Sequence, residues 1–290
     1  MEQERNIWVI GGDLRQVRLA QLLAQDGHTV YTFALDAVGE DVDGLIPRPS
    51  MEGAERADWI ILPLTTTNGK GLLNAPLSCG SYTLSSILRS LHPSQFLCGG
   101  RVGEDAQTAA AEFGLTIHDY FTREELAVAN AVPTAEGAIQ LAMEHLPITV
   151  HGSRVLVLGF GRVGRITAQR FSALGARVTA AARRHEQLAW AAAMGLGAQP
   201  LEGLAGWLCA YDLVINTVPA QVLGRRELED LRPDCLILEL ASAPGGIDLT
   251  AARELGRTVI PAPSLPGKVA PVTAGAAIKN TIYHMLRELG

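Results

Sequence analysis

The sequence predicts an α/β protein made of two doubly wound domains. Short apolar runs of strand length alternate with helical patterns along the chain, which is typical of βαβ units in parallel sheets. A strand that ends in glycine and leads into a helix occurs twice, at Val9 and again at Val157. Because 290 residues are enough for two ordinary cores, we expect two Rossmann-like domains with a cleft between them.

The first half of the chain contains five predicted strands and a series of helices. The strands are expected at 6–10, 29–33, 59–63, 96–98 and 115–117, and the intervening helices at 14–25, 81–91 and 104–113. Residues 122–125 (TREE) have the pattern of a capping box and predict a helix that ends at Pro133, since proline lacks the amide that helix continuation needs. Thr134 is then expected to cap a second helix that runs to about residue 146.

The second half repeats the alternation. Strands are expected at 154–158, 177–181, 213–217, 235–240 and 258–260, and an amphipathic helix at 273–289. We therefore predict a substrate or catalytic domain at residues 1–133, completed by residues 273–290, and a nucleotide-binding domain at residues 134–272.

Composition excludes several classes of function. The net charge is −6 and no basic run is present, which argues against nucleic acid as a main partner. No apolar run approaches the roughly 20 residues that span a bilayer, and the N-terminus leads directly into a strand, so we expect neither a membrane anchor nor a signal peptide. The four cysteines lack metal-ligand spacing, which predicts reduced thiols in the cytoplasm and no metal site.

A glycine-rich turn in the second half predicts dinucleotide binding. Residues 159–164 (GFGRVG) match G-x-G-x-x-G, follow an apolar strand and open a helix. Gly159 permits the tight turn, Gly161 lets a pyrophosphate approach the backbone, and Gly164 lets the helix pack on the strand. We assign cofactor binding to Gly159, Gly161, Arg162, Val163 and Gly164.

The residues after the next strand predict which cofactor is bound. An acidic residue at this position binds the adenosine ribose of NAD, but here Arg183 and Arg184 follow the strand. Arginine binds a 2′-phosphate bidentately, so the pair favours NADP over NAD. The alternative is a pair of solvated arginines without a ligand.

Further candidates lie where other strands end, because ligands of open α/β sheets bind outside the carboxyl ends of the strands. Thr217 and Pro219 belong to a segment of small residues suited to contact a ribose or a ring. In the first half, Thr65 and Thr66 open a hydroxyl-rich row that is suited to carboxylate binding, although an ordinary polar turn has the same composition.

The first glycine turn, at residues 11–16 (GGDLRQ), is predicted not to bind a nucleotide. Asp13 and Gln16 replace the second and third glycines of the pattern, and a carboxylate would repel a pyrophosphate. Asp13 is expected either to cap the following helix or to take part in acid–base chemistry. Arg15 adds a positive charge to the N-terminal end of that helix.

Lys268 is the remaining candidate. Lysine is scarce in this chain, which otherwise uses arginine, and Lys268 lies in a proline- and glycine-rich segment that we expect to form a rigid loop. It follows the last strand of the nucleotide-binding domain, so it is expected to face the cleft. A plain surface lysine is the alternative.

Five motifs together resemble the A subunits of bacterial dipicolinate synthase, in order and over essentially the whole chain. They are GGDLRQ at 11–16, GFGRVG at 159–164, NTVPA at 216–220, LASAPGG at 240–246 and LPGKVAPVTAG at 265–275, of which the last is the most specific.

The resemblance implies an NADP-linked oxidoreductase that acts on a CH–CH or ring C–N bond. Its substrate would be a small dicarboxylate, a hydroxylated tetrahydrodipicolinate that loses water and is oxidised to dipicolinate. It also implies sporulation, the cytoplasm of the mother cell, and a partner that is a flavoprotein-like B subunit. Apart from the resemblance, we expect a homo-oligomer. A dianionic substrate needs at least two anchors, for which we predict Arg15 and Lys268, and the ammonium is also able to transfer a proton.

Two other functions remain open at this point. One is a D-2-hydroxyacid dehydrogenase, although residues 241–246 (ASAPGG) lack the arginine expected there. The other is a regulatory subunit that binds NADP without catalysis. The sequence leaves open whether the chain catalyses the dehydration, the oxidation or both.

Overall fold

The computed structural model describes residues 3–36 and 44–289. The chain divides into two compact units, Met1–Ala129 with Ala270–Gly290 and Asn130–Val269. In the described ranges each unit contains a parallel sheet of six strands with helices packed on both faces. The prediction of two doubly wound Rossmann-like domains is therefore confirmed.

The first unit has the strand order β3-β2-β1-β4-β5-β6. Its strands are β1 (Asn6–Ile10), β2 (Thr29–Phe33), β3 (Leu45–Pro47), β4 (Trp59–Leu64), β5 (Phe96–Gly100) and β6 (His118–Asp119). Its helices are α1 (Leu14–Gln25), α2 (Leu84–Leu88), α3 (Glu104–Ala111), the start of α4 (Glu124–His145) and α10 (Pro271–Leu289).

The second unit repeats this order as β9-β8-β7-β10-β11-β12. Its strands are β7 (Arg154–Leu158), β8 (Arg177–Ala182), β9 (Gly197–Pro200), β10 (Leu213–Asn216), β11 (Leu236–Glu239) and β12 (Thr258–Pro261). Besides the rest of α4, its helices are α5 (Arg162–Ala173), α6 (His185–Ala193), α7 (Arg225–Asp230), α8 (Leu249–Glu254) and α9 (Leu265–Val269).

The central strands are apolar on both faces because each sheet lies between two helical layers. In β7, Val155 and Val157 join the core cluster beneath α4 and α5, while Leu156 and Leu158 join the cluster beneath α7 and α8. Continuous apolar runs of strand length were therefore sufficient to predict these strands from the sequence.

Helix α10 follows the whole second unit in the sequence but belongs to the first. Ile278, Ile282 and Met285 share a core cluster with residues of α1 and β1. A Cβ on Gly275 would lie 2.9 Å from the carbonyl oxygen of Arg15, so glycine is required where the backbones of α1 and α10 approach each other. The first unit is thus built from two segments that are remote in the chain.

Three predictions of secondary structure were wrong at the sheet edges. The edge strands β3 and β9 were missed because they have only 3 and 4 residues and are largely exposed, so neither has an apolar run of the usual strand length. Residues 115–117 were predicted as a strand, but the edge strand lies at His118–Asp119. Leu115 and Ile117 are buried in the core as non-strand residues, which explains their apolar pattern.

The predicted break at Pro133 was also wrong. Helix α4 continues from Glu124 to His145 with Pro133 inside it. Thr134 does not cap a second helix, because its hydroxyl donates a hydrogen bond of 2.7 Å to the carbonyl oxygen of Asn130 within the same helix. Alanines on one side of α4 are fully buried, and this packing outweighs the lost backbone hydrogen bond.

The described residues lack the features of two other classes of protein. None of the helices within residues 3–36 and 44–289 has the length and apolar character needed to cross a membrane. In the same ranges, no three His, Cys, Asp or Glu side chains cluster as metal ligands would.

Asp26 joins helix α10 to the C-terminal end of α1. Its carboxylate accepts hydrogen bonds from the Lys279 ammonium at 2.6 Å and from the Tyr283 hydroxyl at 2.7 Å. Burial raises the pKa of Asp26, but the hydrogen bonds from Lys279 and Tyr283 outweigh this effect and hold the pKa below its usual range.

We predict that Asp26→Asn lowers the stability of the protein at neutral pH by up to about 1 kcal/mol, the range of partly exposed ion pairs. A carboxyl group whose pKa is depressed by folding stabilises the protein above its unfolded pKa of about 3.9, and this contribution is lost as the pH falls through the folded pKa. The stability gap between wild type and variant, measured by thermal unfolding, should therefore close below about pH 4. The exposed Glu202→Gln is the control, and a gap that persists in acid would contradict the assignment.

Candidate dinucleotide-binding site

A cavity of about 630 Å³ lies at the carboxyl ends of three neighbouring strands of the second unit. The strand order places β7 between β8 and β10, so the cavity extends across the ends of all three. Its lining residues are Gly159, Phe160, Gly161, Ala182, Arg183, Arg184, Gln187, Leu201, Thr217, Val218 and Pro219. This is the edge at which open parallel sheets bind ligands.

The glycine turn after β7 forms the middle of the cavity. Glycine is suited to each of its three positions for a different physical reason. Gly159 has a φ of +91°, which side chains rarely adopt. A Cβ on Gly164 would lie 2.1 Å from the carbonyl oxygen of Gly159, so only glycine lets α5 pack this closely. A Cβ on Gly161 would meet nothing within 4 Å, which leaves open space at the N-terminal end of α5. That space and the helix N-terminus fit a pyrophosphate.

The β8 end of the cavity carries positive charge. Arg183 and Arg184 are exposed, and Arg184 pairs with Glu186 at 2.9 Å. Gln187, one helical turn after Arg183 and Arg184, also lines the cavity but was not predicted from the sequence. Its spacing of three to four residues from the arginine pair, across the start of α6, is the signal that would have revealed it.

The β10 end of the cavity is a wall of three residues, Thr217, Val218 and Pro219. The Thr217 hydroxyl donates a hydrogen bond of 2.8 Å to the carbonyl oxygen of Leu158, which ties this wall to the end of β7. The wall is therefore fixed relative to the glycine turn. Among its members, Val218 was not predicted.

Arg165 contacts Phe160 of the glycine turn, a role that was not predicted from the sequence. Its Nε donates a hydrogen bond of 3.2 Å to the carbonyl oxygen of Phe160, and its guanidinium lies 5.7 Å from the Phe160 ring centroid. The Trp190 ring lies 5.6 Å away from the same guanidinium. These contacts hold Phe160 in the cavity wall, and no sequence pattern indicates them.

The glycine turn of the first unit is filled by a side chain, whereas that of the second unit has open space. The buried Gln16 side chain fills the space beside Gly12, where a Cβ would lie 2.2 Å from the Gln16 Cγ. Asp13 caps α1 by accepting a hydrogen bond of 3.0 Å from the Arg15 amide. It also pairs with the Arg15 guanidinium at 2.7 Å.

The remaining candidates of the first unit, Arg15, Thr65 and Thr66, all have hydrogen-bond partners within the protein. The Arg15 side chain is buried, pairs with Asp13 and donates from Nη2 to the Leu64 carbonyl oxygen at 3.2 Å, so its Nε and Nη2 groups already have partners. Thr66 is fully buried and donates to the Gly100 carbonyl oxygen at 3.2 Å. Thr65 remains partly exposed and donates to the Thr67 carbonyl oxygen at 3.0 Å.

Lys268 does not lie in a loop, so that prediction was wrong. It belongs to the short helix α9, and the flanking Leu265, Pro266 and Gly267 are buried while Lys268 itself is exposed. Packing of this apolar segment outweighs the low helix propensity of proline and glycine, on which the prediction of a loop depended. Lys268 belongs to the second unit and Arg15 to the first.

The fold and the cavity define a class of protein, the two-domain dehydrogenases that bind a nicotinamide dinucleotide. Residues 123–244 match the family model of the D-isomer specific 2-hydroxyacid dehydrogenase NAD-binding domain. The match includes the glycine turn, the arginine pair and the wall after β10. The second unit is accordingly a dehydrogenase-like domain that fits a nicotinamide cofactor.

Within this class the chain belongs to the family of dipicolinate synthase A subunits. Residues 6–121 match the family model of the N-terminal domain of these A subunits. The chain is 35% identical over 285 residues to the dipicolinate synthase A subunit of Bacillus subtilis (strain 168), an alignment that covers 98% of this chain and 96% of the relative.

Two crystal structures agree with this assignment. The dipicolinate synthase A subunit from Bacillus halodurans superposes with a TM-score of 0.88 at 31% identity, and the match covers 97% of each chain. The dipicolinate synthase A chain from Bacillus subtilis gives a TM-score of 0.86 at 34% identity, covering 99% of this chain and 97% of that one.

The glycine turn makes a paired prediction. Gly161→Ala should fold with the stability of wild type, because the methyl group meets no protein atom, yet lose most dinucleotide affinity because the methyl enters the space for the pyrophosphate. Gly164→Ala should lower the melting temperature, since overpacking costs about 1–3 kcal/mol. Thermal unfolding and calorimetric titration with NADPH measure the two effects. Wild-type affinity in Gly161→Ala would show that the pyrophosphate does not lie beside Gly161.

Proposed function

We propose that this chain is the oxidoreductase subunit of a dipicolinate synthase and oxidises dihydrodipicolinate to dipicolinate with NADP. The observation that carries the proposal is the cavity of the second unit, in which a dinucleotide-type glycine turn is followed by two arginines. Membership of the family of dipicolinate synthase A subunits supplies the substrate class. The dihydro compound would arise from 4-hydroxy-tetrahydrodipicolinate by loss of water.

The oxidation removes two electrons and two protons from the dihydropyridine ring, and an aromatic pyridine dicarboxylate remains. When bound, the nicotinamide accepts one hydrogen with both electrons, and the second hydrogen leaves the substrate as a proton. The protein must therefore hold the dinucleotide, fix the dicarboxylate beside it and provide a route for one proton.

The residues of the cavity suit the first of these tasks. Arg183 and Arg184 would bind the 2′-phosphate, and Gly159, Gly161, Arg162, Val163 and Gly164 would hold the pyrophosphate at the start of α5. Thr217 and Pro219 would contact the nicotinamide half, because they lie across β7 from the arginine pair.

The arginine pair predicts that NADPH binds more tightly than NADH. Replacing both Arg183 and Arg184 by alanine should remove most of the difference, because a charge-assisted hydrogen bond contributes about 1.5–3 kcal/mol, or about ten- to a hundredfold in affinity. Calorimetric titration with each cofactor measures the gap, and the exposed Arg170→Ala is the matched control. Equal affinity of the wild-type protein for both cofactors would overturn the NADP assignment.

For the substrate we propose Lys268 as the main carboxylate anchor and as a candidate acceptor of the proton that the substrate loses. It is exposed, and the buried residues before it in α9 fix the backbone that carries it. Asp13 and Arg15 form an ion pair with each other. We therefore propose that they stabilise the start of α1 in the substrate domain and do not bind the substrate. Thr65 remains a candidate contact in that unit.

The setting of the enzyme is proposed from its family alone. The relative in Bacillus subtilis is named as one lettered subunit of a synthase, which implies a second kind of subunit. For that partner we propose a flavoprotein-like B subunit. We also propose a homo-oligomeric assembly, and the cytoplasm of the mother cell of a sporulating bacterium as the location.

A D-2-hydroxyacid dehydrogenase is the competing function, favoured by the family match of residues 123–244. That match covers the cofactor domain alone, while residues 6–121 match the model of the dipicolinate synthase A subunits. The arginine expected after β11 in such dehydrogenases is absent from residues 241–246. These two facts favour the dipicolinate reaction.

One assay tests the function directly. Synthesised 4-hydroxy-tetrahydrodipicolinate is mixed with the protein and NADP, with and without the proposed B subunit, and NADPH is followed in the near ultraviolet. Appearance of NADPH together with dipicolinate is the expected result. Tight cofactor binding without turnover in either mixture would indicate a regulatory role, and turnover of simple 2-hydroxy acids would indicate the competing dehydrogenase.

In the same assay Lys268→Ala should leave NADPH affinity within about twofold but lower kcat/KM by at least about a hundredfold, which corresponds to about 2.7 kcal/mol. Lys268→Arg should restore much of the activity if the lysine is an electrostatic anchor, and little if it transfers a proton, because guanidinium does not deprotonate in proteins. The exposed Arg226→Ala controls for loss of positive charge. Wild-type turnover in Lys268→Ala would remove it from the active site.

A further inference from the structure

A buried carboxylate lies directly behind the wall that Thr217, Val218 and Pro219 form. Glu239 ends β11 and pairs in register with Asn216, which ends β10. Its Oε1 accepts hydrogen bonds from the Asn216 Nδ2 at 2.8 Å and from the Ala241 amide at 3.0 Å. Its Oε2 accepts from the Gly246 amide at 2.8 Å. Both side chains are buried, Asn216 completely.

The hydrogen bonds that Glu239 accepts all come from neutral groups. All three hydrogen bonds come from N–H groups, which suits an ionised carboxylate because it has acceptors only. Among the described residues, no lysine, arginine or histidine forms an ion pair with Glu239. A negative charge is therefore held at a fixed place inside the domain by neutral dipoles.

Close packing connects this charge to the cavity. A Cβ on Gly246 would lie 2.5 Å from the Asn216 Nδ2 and 2.7 Å from the Val218 carbonyl oxygen, so the segments after β10 and β11 are in direct contact. Asn216 also accepts a hydrogen bond of 3.0 Å from the Val218 amide. Val218 lines the cavity and Glu239 does not, which places the carboxylate one residue layer behind the wall.

We propose that Glu239 sets the redox preference of the cavity by favouring the oxidised cofactor over the reduced one. The inference rests on the proposed function, in which the wall after β10 holds the nicotinamide half. The oxidised ring is a cation and the reduced ring is neutral, so a nearby buried negative charge stabilises only the oxidised form. An enzyme that oxidises its substrate gains from this, because it binds the cofactor form that it consumes and releases the form that it makes.

The test is calorimetric titration of the whole protein with NADP⁺ and with NADPH, without substrate. Glu239→Gln keeps the shape and removes the charge. We expect the ratio of the dissociation constant for NADP⁺ to that for NADPH to rise by about three- to tenfold, the effect of one charge acting through a protein-like medium over several ångströms. A purely structural role would weaken both forms alike and leave the ratio unchanged.

Asp248→Asn is the matched control, because Asp248 lies in the same segment, is partly buried and caps α8. It should leave the ratio within about twofold of the wild-type value, a difference of about 0.4 kcal/mol. An equal rise in this variant would mean that net charge alone acts, which would overturn the assignment to Glu239.

A second variant keeps the proposal testable if Glu239→Gln fails to fold. Ala220→Lys places a cation at an exposed position beside the Glu239 network and leaves its hydrogen bonds intact. It should raise the same ratio. An unchanged ratio in the folded variants would overturn the inference and leave the proposed function standing, whereas a wild-type protein that binds neither cofactor form would overturn both.

Discussion

The architecture of both units depends on one constraint, the lack of room where a parallel strand turns into the helix that follows it. In the second unit the Gly159 carbonyl oxygen and the Cα of Gly164 approach so closely that no Cβ fits between them. Without that approach α5 would not lie against β7, and its N-terminal amides would not face the cavity. Packing and ligand geometry thus have the same physical origin.

The two units show what happens when this constraint is met in different ways. The second unit satisfies it with glycine and keeps open space beside Gly161. The first unit places the buried Gln16 side chain in the corresponding turn, where it donates to the Leu62 carbonyl oxygen at 3.2 Å. The two units therefore have the same strand order, but the second has a dinucleotide-type cavity at its glycine turn and the first has a turn filled by a side chain.

The sequence was informative where burial dictates residue type. Central strands, α1, α5 and the glycine turn were predicted because apolar runs and forced glycines leave a local pattern. Edge strands β3 and β9 left too little pattern, since each is short and pairs with one neighbouring strand only. The continuity of α4 through Pro133 and the helical state of Lys268 depend on tertiary packing. The contacts of Arg165 and Glu239 join residues of different elements, so they cannot be predicted from local sequence patterns.

The placement of α10 has a consequence for the order in which the chain is made. The second unit is continuous from Asn130 to Val269, so all of its strands have been synthesised before α10 begins. The first unit is synthesised earlier yet lacks the helix that covers the apolar side of α1 formed by Val17, Ala20 and Leu23. Because domains fold as units during synthesis, the second unit completes its core first. The first unit therefore keeps an uncovered apolar surface on α1 until α10 has been synthesised.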